Sequence, residues 1–427
     1  MAERISADVA VVGAGPAGIA AATVAAEAGK RVILIDEGAH AGGQIWRHRP
    51  GNVPPRARAW LERLERSAVR RIPGASVFAA APGFEVSAES DAGTIAVAAP
   101  QVVLATGARE LFLPFPGWTL PNVLGVGAAQ ALVKSGLSFE GKRVVLAGSG
   151  PLLLAVASTL AHAGADVAFV AEQASRAAVM RFGLGLWRAP GMVREAVGYR
   201  RGFAGSPYRF GTWVVEARGE DRVREAVLTD GRKTRSMRCD YLCSGFGLVP
   251  ATELARHLGC RTQGGAVVVD ESQRASVEGV FCAGEPTGIG GVEKALVEGE
   301  IAGWAAAGNP RRASALLPDR RRAAARARRM ESAFSLRPEL RNLARADTIV
   351  CRCEDVSRAE FDPGWSSREA KLCARAGMGP CQGRVCGPAL RYLFGWESDS
   401  VRVPISPVSV GSLGSIGAGK SEAEEGG

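Results

Sequence analysis

The chain is short of the side chains that usually carry acid–base and nucleophilic chemistry: in 427 residues there are four His and four Tyr, and aromatics make up 6%. No paired acid and base and no activated nucleophile can be picked out. No apolar run reaches the roughly 20 residues needed to cross a bilayer. The longest candidate, Pro151 to Val170, contains His162 and Asp166 and reads as a helix followed by a strand. The opening MAERISADVAVVGAGPAG lacks the basic and apolar regions of a signal peptide. A soluble, cytoplasmic protein is therefore expected, with peripheral membrane contact left open. In a reducing compartment the nine Cys read as ligands or buried apolar groups rather than disulfides.

What is present is a globular balance of 47% hydrophobic and 22% charged residues, in a chain long enough for two or three packed units. The net charge of +10 suggests an acidic partner until its distribution is examined. Residues 311–345 hold eleven Arg against Asp319, Glu331 and Glu339, a net +8 that leaves +2 for everything else. The stretch RRRAAARARRMESAF predicts a helix after Pro318 with Ala on one side and Arg on the other. A solvated connector or a docking face for an acidic partner would both look like this. Nucleic-acid binding is not expected, because aromatic interleaving and a recognised binding fold are missing.

Two glycine turns organise the body. Asp8 to Val12 is a strand-like run ending in Gly13-Ala14-Gly15-Pro16-Ala17-Gly18, followed by an Ala-rich helical stretch that Gly29 stops. A second strand, Arg31 to Ile35, delivers Asp36 and Glu37, with Asp36 placed 23 residues beyond Gly13. This order is the dinucleotide fingerprint. Gly13 makes the tight turn, Gly15 lets backbone approach a pyrophosphate, Gly18 permits close helix–strand packing, and Asp36 accepts from a ribose hydroxyl. A related turn, RVVLAGSGPLLLAVA, has Gly148 and Gly150 but Leu153 at the third glycine position, and Glu172 ends its next strand. NAD, another adenine nucleotide such as ATP or AMP, and a vestigial site all stay open there.

Two later segments, QVVLATG ending at Gly107 and VFCAGE ending at Glu285, give the chain its resemblance to the two-dinucleotide-domain flavoproteins. That resemblance implies bound FAD, with Thr106-Gly107 near the adenine side and Gly284-Glu285 at the ribityl chain. The helix beginning at Gly291-Val292 would face the isoalloxazine, and Gly43-Gln44 would approach the flavin. His40 and His48 are the two His expected near it. Disulfide reductases of this fold carry a reactive Cys pair; here Cys239 and Cys243 flank a strand-like YL and are expected to be buried and apolar.

Near the C-terminus, Cys351 and Cys353 form C-x-C, and Cys381 and Cys386 form C-x4-C, with 27 residues between the pairs. Four thiolates are the full ligand set of a [2Fe–2S] cluster. Zinc, or no metal at all, remains an alternative. Cys373 is expected to be a buried bystander. The segment resembles the bacterioferritin-associated-ferredoxin-like [2Fe–2S] domain.

The whole order, with the motifs GGQIW, PFPGWTLPNV, GSGPLLLAVA, CAGEPTGIGG, CRCEDV and GMGPCQGRVC, resembles the alpha subunits of multi-subunit amino-acid and opine dehydrogenases or oxidases. D-hydroxyproline dehydrogenase and octopine or nopaline oxidase belong to that group, and sarcosine oxidase alpha and the flavin subunit of hydrogen cyanide synthase are relatives. The family implies a catalytic beta subunit with its own FAD; a small ferredoxin-like gamma subunit, together with an FMN at the interface, stays open.

The expected fold is α/β, with two nested Rossmann-like dinucleotide-binding domains of the FAD/NAD(P) disulfide-reductase type plus a small, mainly helical [2Fe–2S] domain. The expected boundaries are 1–112 with 246–310 for FAD, 113–245 for the second nucleotide-binding-like domain, and 311–346 for the connector. Residues 347–405 would hold the cluster and 406–427 a flexible tail. The expected role is an electron-transfer subunit of an amino-acid, opine or proline-like secondary-amine dehydrogenase. A self-sufficient NAD(P)H-dependent reductase and a structural scaffold are the alternatives.

Overall fold

A computed structural model describes residues 3–48, 53–81, 83–397 and 401–421. It divides into two compact units, 1–109 with 250–328 and 400–427, and 110–249 with 329–399.

The first unit is built on a parallel five-stranded sheet in the order Val280–Cys282, Gln101–Leu104, Val9–Val12, Val32–Ile35, Arg70–Ile72. Three of these strands are Val/Ile/Leu-rich and buried along their length, as a sheet covered on both faces requires. Cys282 pairs with Leu104 and Val12 with Leu104 on the other side, so the late segment enters the sheet formed by the early one. Helix Pro16–Glu27 lies against helix Val292–Ala306 at backbone contact: a Cβ at Gly299 would stand 2.2 Å from the Ala17 carbonyl oxygen, and one at Gly303 2.4 Å from that of Ala21. A second sheet, in the order Glu3–Ser6, Gly93–Ala98, Glu85–Ser90, Ser76–Ala81, completes a shared core.

The second unit repeats the plan. Its parallel sheet runs Val123–Gly125, Tyr241–Gly245, Arg143–Gly148, Asp166–Glu172, Tyr208–Phe210. A three-stranded antiparallel sheet from Trp213 to Arg238 packs beside it. Leu153, where a third glycine was expected, is buried in the core formed by Val144, Val156 and Val167.

Three expectations need correction. The Arg-rich stretch is not a separate connector. Helices Pro310–Ala315 and Leu317–Ala333 begin before Pro318, and Ala323 joins the core of the first unit. Residues 329–399 belong to the second unit, because Leu340 and Leu343 share a core with Trp118 and Trp213; the cysteine-bearing module belongs to the same unit. The segment after 405 is not a loose tail. Ile405 donates its N–H to the Phe78 carbonyl, Ser409 and Ser412 bond the Glu89 carboxylate, and a helix spans Val410–Ser421. The Ser409 N–H and the Ser412 hydroxyl find a fixed acceptor in Glu89, on an inner strand of the sheet, which composition does not reveal. Residues 422–427 of the expected tail lie outside the described residues.

Candidate functional site: two glycine turns and a cysteine module

In the first unit the expected strand–turn–helix–strand–acid order is present at the expected residues. Gly13 adopts φ +102°, and a side chain there would strike the Ala105 backbone. A Cβ at Gly18 would sit 1.7 Å from the Gly13 carbonyl oxygen, so the helix can approach only without one. Gly15 is different: a Cβ there meets nothing within 4 Å, leaving the backbone open at the start of the helix that begins at Pro16 and Ala17.

Asp36 accepts from the N–H of Ala14 through one oxygen and from that of Gly38, at 2.8 Å, through the other. Burial pushes its carboxyl above the ordinary carboxylate range, against the pull of those two N–H groups. Glu37 points to solvent. Beside Asp36 lies a cavity of about 560 Å³ whose wall includes Ala14, His40, His48, Arg58 and Arg71. The two histidines therefore line the cavity at the acid. Gly43 abuts Gly15, where a Cβ at Gly43 would lie 3.0 Å from the Gly15 Cα, and Gln44 is exposed. An open glycine backbone, an acid and an adjoining cavity fit the adenosine and pyrophosphate of FAD.

Further along the unit, Thr106 donates its hydroxyl to the Ala251 carbonyl at 2.6 Å, and Gly107 has φ +72°. Glu285 accepts from the N–H of Gly290 and Gly291 at 3.1 and 2.8 Å, closing the turn in front of Val292. Burial raises its carboxyl as well. Sequence reasoning missed what anchors this turn. Lys294 places Nζ 3.0 Å from the Gly284 carbonyl, 2.9 Å from that of Gly288 and 2.7 Å from Thr287 Oγ1. Glu298 accepts from Gly284 N–H and from Thr287. The available signal was a Lys and a Glu four apart in VEKALVEGEIAG, a spacing that places them on one helix face.

The second turn keeps the first two glycines and a closing acid in another environment. Gly148 abuts the Gly245 backbone, Gly150 takes φ +98°, and Glu172 accepts from the N–H of Gly150 and Ala174 at 2.8 Å each. Glu172 is 0% exposed. Burial pushes its carboxyl up to about 7.

The four thiols of the C-terminal module meet in pairs. Cys386 donates to Cys351, and that hydrogen bond leads in holding the Cys351 thiol down at about 6; Cys353 and Cys381 share another. The Gly377 N–H also points at Cys351. A Cβ at Gly379 would press within 2.3 Å of the Cys353 Cβ. Among the described residues, no group of three or more His, Cys, Asp or Glu is gathered closely enough to hold a metal ion. Cys239 and Cys243 are buried as expected, and burial raises Cys239 to about 12. Cys373 is exposed, contrary to expectation, because helix Ser367–Ala374 turns Ala370 inward instead. No helix among the described residues is long and apolar enough to cross a membrane.

A family model described as pyridine nucleotide-disulphide oxidoreductase matches residues 7–308. A subunit of opine oxidase from Agrobacterium tumefaciens is 30% identical over 95% of this chain and 91% of that one. The HcnB subunit of hydrogen cyanide synthase from Pseudomonas aeruginosa is 31% identical over 95% and 98%. Among solved structures, L-proline dehydrogenase from P. horikoshii superposes with a TM-score of 0.69 at 22% identity, covering 97% of this chain and 80% of that chain.

Proposed function

The chain belongs to the pyridine nucleotide-disulphide oxidoreductase family, as an FAD-dependent oxidoreductase of mixed α/β fold, and from that premise we propose that it is the FAD- and [2Fe–2S]-carrying electron-transfer subunit of a hetero-oligomeric amino-acid, opine or proline-like secondary-amine dehydrogenase or oxidase. The observation that carries the flavin half is Asp36, held by the Ala14 and Gly38 N–H groups beside the 560 Å³ cavity. Gly13, Gly15, Pro16, Ala17 and Gly18 would receive the pyrophosphate, and Asp36 the adenosine ribose. Thr106, Gly107, Gly284 and Glu285 would line the path to the ring, with Gly291 and Val292 behind it. FAD supplies two-electron acceptance and release in single steps.

Support for a partner comes from two sides. The opine oxidase relative and HcnB are each named as one subunit of an enzyme. In this chain His162 lies on a helix, bonded to the Ser158 carbonyl, and His257 is bonded to that of Ala80; neither lines the cavity at Asp36. A catalytic beta subunit would then oxidise the C–N bond and pass electrons here. The cluster reading is supported by the donor chemistry of Cys351, Cys353, Cys381 and Cys386, paired in one small module with the N–H groups of Gly377, Glu354 and Cys353 aimed at the Cys351 sulfur.

The deciding experiment is purification from the native source with mass identification of copurifying chains and flavin quantified per chain. A flavin-containing second subunit is expected. A chain that lacks flavin, or one that oxidises an opine or secondary amine with no partner, would overturn this reading.

A further inference from the structure

The two glycine turns of this chain have the same local design and opposite accessibility. In both, a carboxylate at the end of the following strand accepts an N–H of the turn: Asp36 from Ala14, Glu172 from Gly150. Asp36 borders a cavity, whereas Glu172, Gln173 and Gly150 are all buried. Gly150, Ala174 and the Tyr208 hydroxyl enclose the Glu172 carboxylate, and what covers Gly150 and Gln173 is the chain itself, at Phe334–Arg337.

The cover is specific in its bonding. Ser149, the middle residue of the turn, donates its hydroxyl to the Phe334 carbonyl at 3.0 Å and receives the Gln173 amide at 2.8 Å. The same Gln173 amide donates to the Ser335 carbonyl at 3.0 Å, while its oxygen accepts the Arg337 N–H at 3.2 Å. A fully buried side-chain amide thus pairs with the segment as the peptide group of a neighbouring strand would. The Phe334 ring reaches within 4.0 Å of the point where a Cβ at Gly150 would stand and meets Phe182 edge-on. Arg337 continues the clamp: its guanidinium stacks over Trp213 at 4.3 Å and donates to the Gln173 carbonyl. Tyr392 donates its hydroxyl to the Arg337 carbonyl at 2.8 Å.

A dinucleotide at such a turn needs its pyrophosphate against the second glycine and its ribose against the acid. Phe334 stands at the first place, and Glu172 has no exposed surface to offer at the second. The pyridine nucleotide that the family implies therefore does not fit this turn. We propose that Phe334–Arg337 is a built-in occupant of the second fingerprint, which closes it to NAD(H) and NADP(H) and turns a nucleotide site into the anchor for the cysteine-bearing C-terminal module. The closure is independent of the flavin assignment, since it involves residues of the second unit alone.

The test uses the full chain as purified. Isothermal titration with NADH, NADPH and ADP-ribose is expected to show no saturable binding, and anaerobic NADH to leave the flavin absorbance unchanged while dithionite bleaches it. Saturable binding of any of the three, or bleaching by NADH, overturns the proposal. The second arm follows hydrogen exchange at the amides of Gly150, beside the Phe334 ring, and Arg337, bonded to the Gln173 side chain. With Phe334→Ala and Gln173→Ala combined, these amides are expected to exchange about tenfold faster or more, because the contacts that seal them are gone. Unchanged exchange in that variant overturns the proposal, since the segment would then not be what closes the turn. Should the double variant fail to fold, the wild-type titration still decides. Absent flavin or a missing partner chain would sink the proposed function and leave this result standing.

Discussion

Lys294 and Glu298 form an ion pair 2.8 Å long, one helical turn apart, with side chains only 7% and 3% exposed. Their hydrogen bonds go to the Gly284–Gly288 turn, with Arg320 adding a longer ion pair to Glu298 at 3.9 Å, so a charge pair inside the helix sets the loop that presents Glu285. Removing one partner of a buried pair leaves the other without its close counter-charge, and Arg320 at 3.9 Å from Glu298 is too long for a hydrogen bond. Lys294→Met is expected to lower unfolding free energy by about 3 to 5 kcal/mol. Lys294→Met with Glu298→Leu should recover most of that loss in chemical denaturation. Equal destabilisation of the single and double variants would mean that the pair is not what holds the turn.

The glycines of the first turn separate folding from binding. Gly18→Ala forces a Cβ into the Gly13 carbonyl and should prevent accumulation of folded protein. Gly15→Ala meets no protein atom and has an ordinary backbone at φ −73°. It should keep its melting temperature in the flavin-free form while flavin affinity falls about tenfold, read by fluorescence titration. Wild-type affinity in Gly15→Ala would remove the pyrophosphate from this turn.

Glu172 makes stability depend on pH. Its carboxyl ionises near 4.5 in the unfolded chain and at about 7 in the folded one, because burial disfavours the charge. Between these values the folded chain keeps a proton that the unfolded chain has released. Stability is therefore complete below about pH 4.5 and is lost as pH rises toward 7. The loss amounts to about 3 kcal/mol. Glu172→Gln should flatten that segment of the wild-type curve in urea unfolding at a series of pH values.

The returning C-terminal segment can be weighed through Ile405, which is 6% exposed in the core between the two sheets of the first unit. Ile405→Ala is expected to cost about 2 to 4 kcal/mol. An effect below a few tenths in thermal unfolding would show that the segment merely rests on the sheet.

For the cysteines, the [2Fe–2S] reading expects about two irons per chain and loss of the visible cluster absorbance when Cys381 or Cys386 is replaced by Ser. Cys373→Ser, at an exposed position, should leave iron content unchanged. Full iron in Cys381→Ser, or zinc in place of iron in the wild-type chain by metal analysis, would remove the cluster.

Much of the first turn was legible because its chemistry is local. Gly13, Gly15, Gly18 and Asp36 lie within one strand–helix–strand unit, and each residue type answers a steric or hydrogen-bonding demand of its neighbours. The second turn was legible as a turn and illegible as a site. Its cover arrives from residues more than 160 positions away, and nothing in FSLR announces a Gln173 amide as its partner. Lys294 differs, since its partners lie within ten residues, yet the linear order does not distinguish a Lys turned onto its own loop from one turned to solvent.

The sequence alone determined the order of strands, glycine turns and acids, and with it the family and the existence of two related units. Periodicity and turn chemistry act between residues close along the chain, and these survive in a linear reading. Only the tertiary structure decided which turn stays open. Asp36 faces a cavity and Glu172 a wall of the protein's own backbone, because occupancy of a cleft depends on which distant segment finds hydrogen-bond partners there.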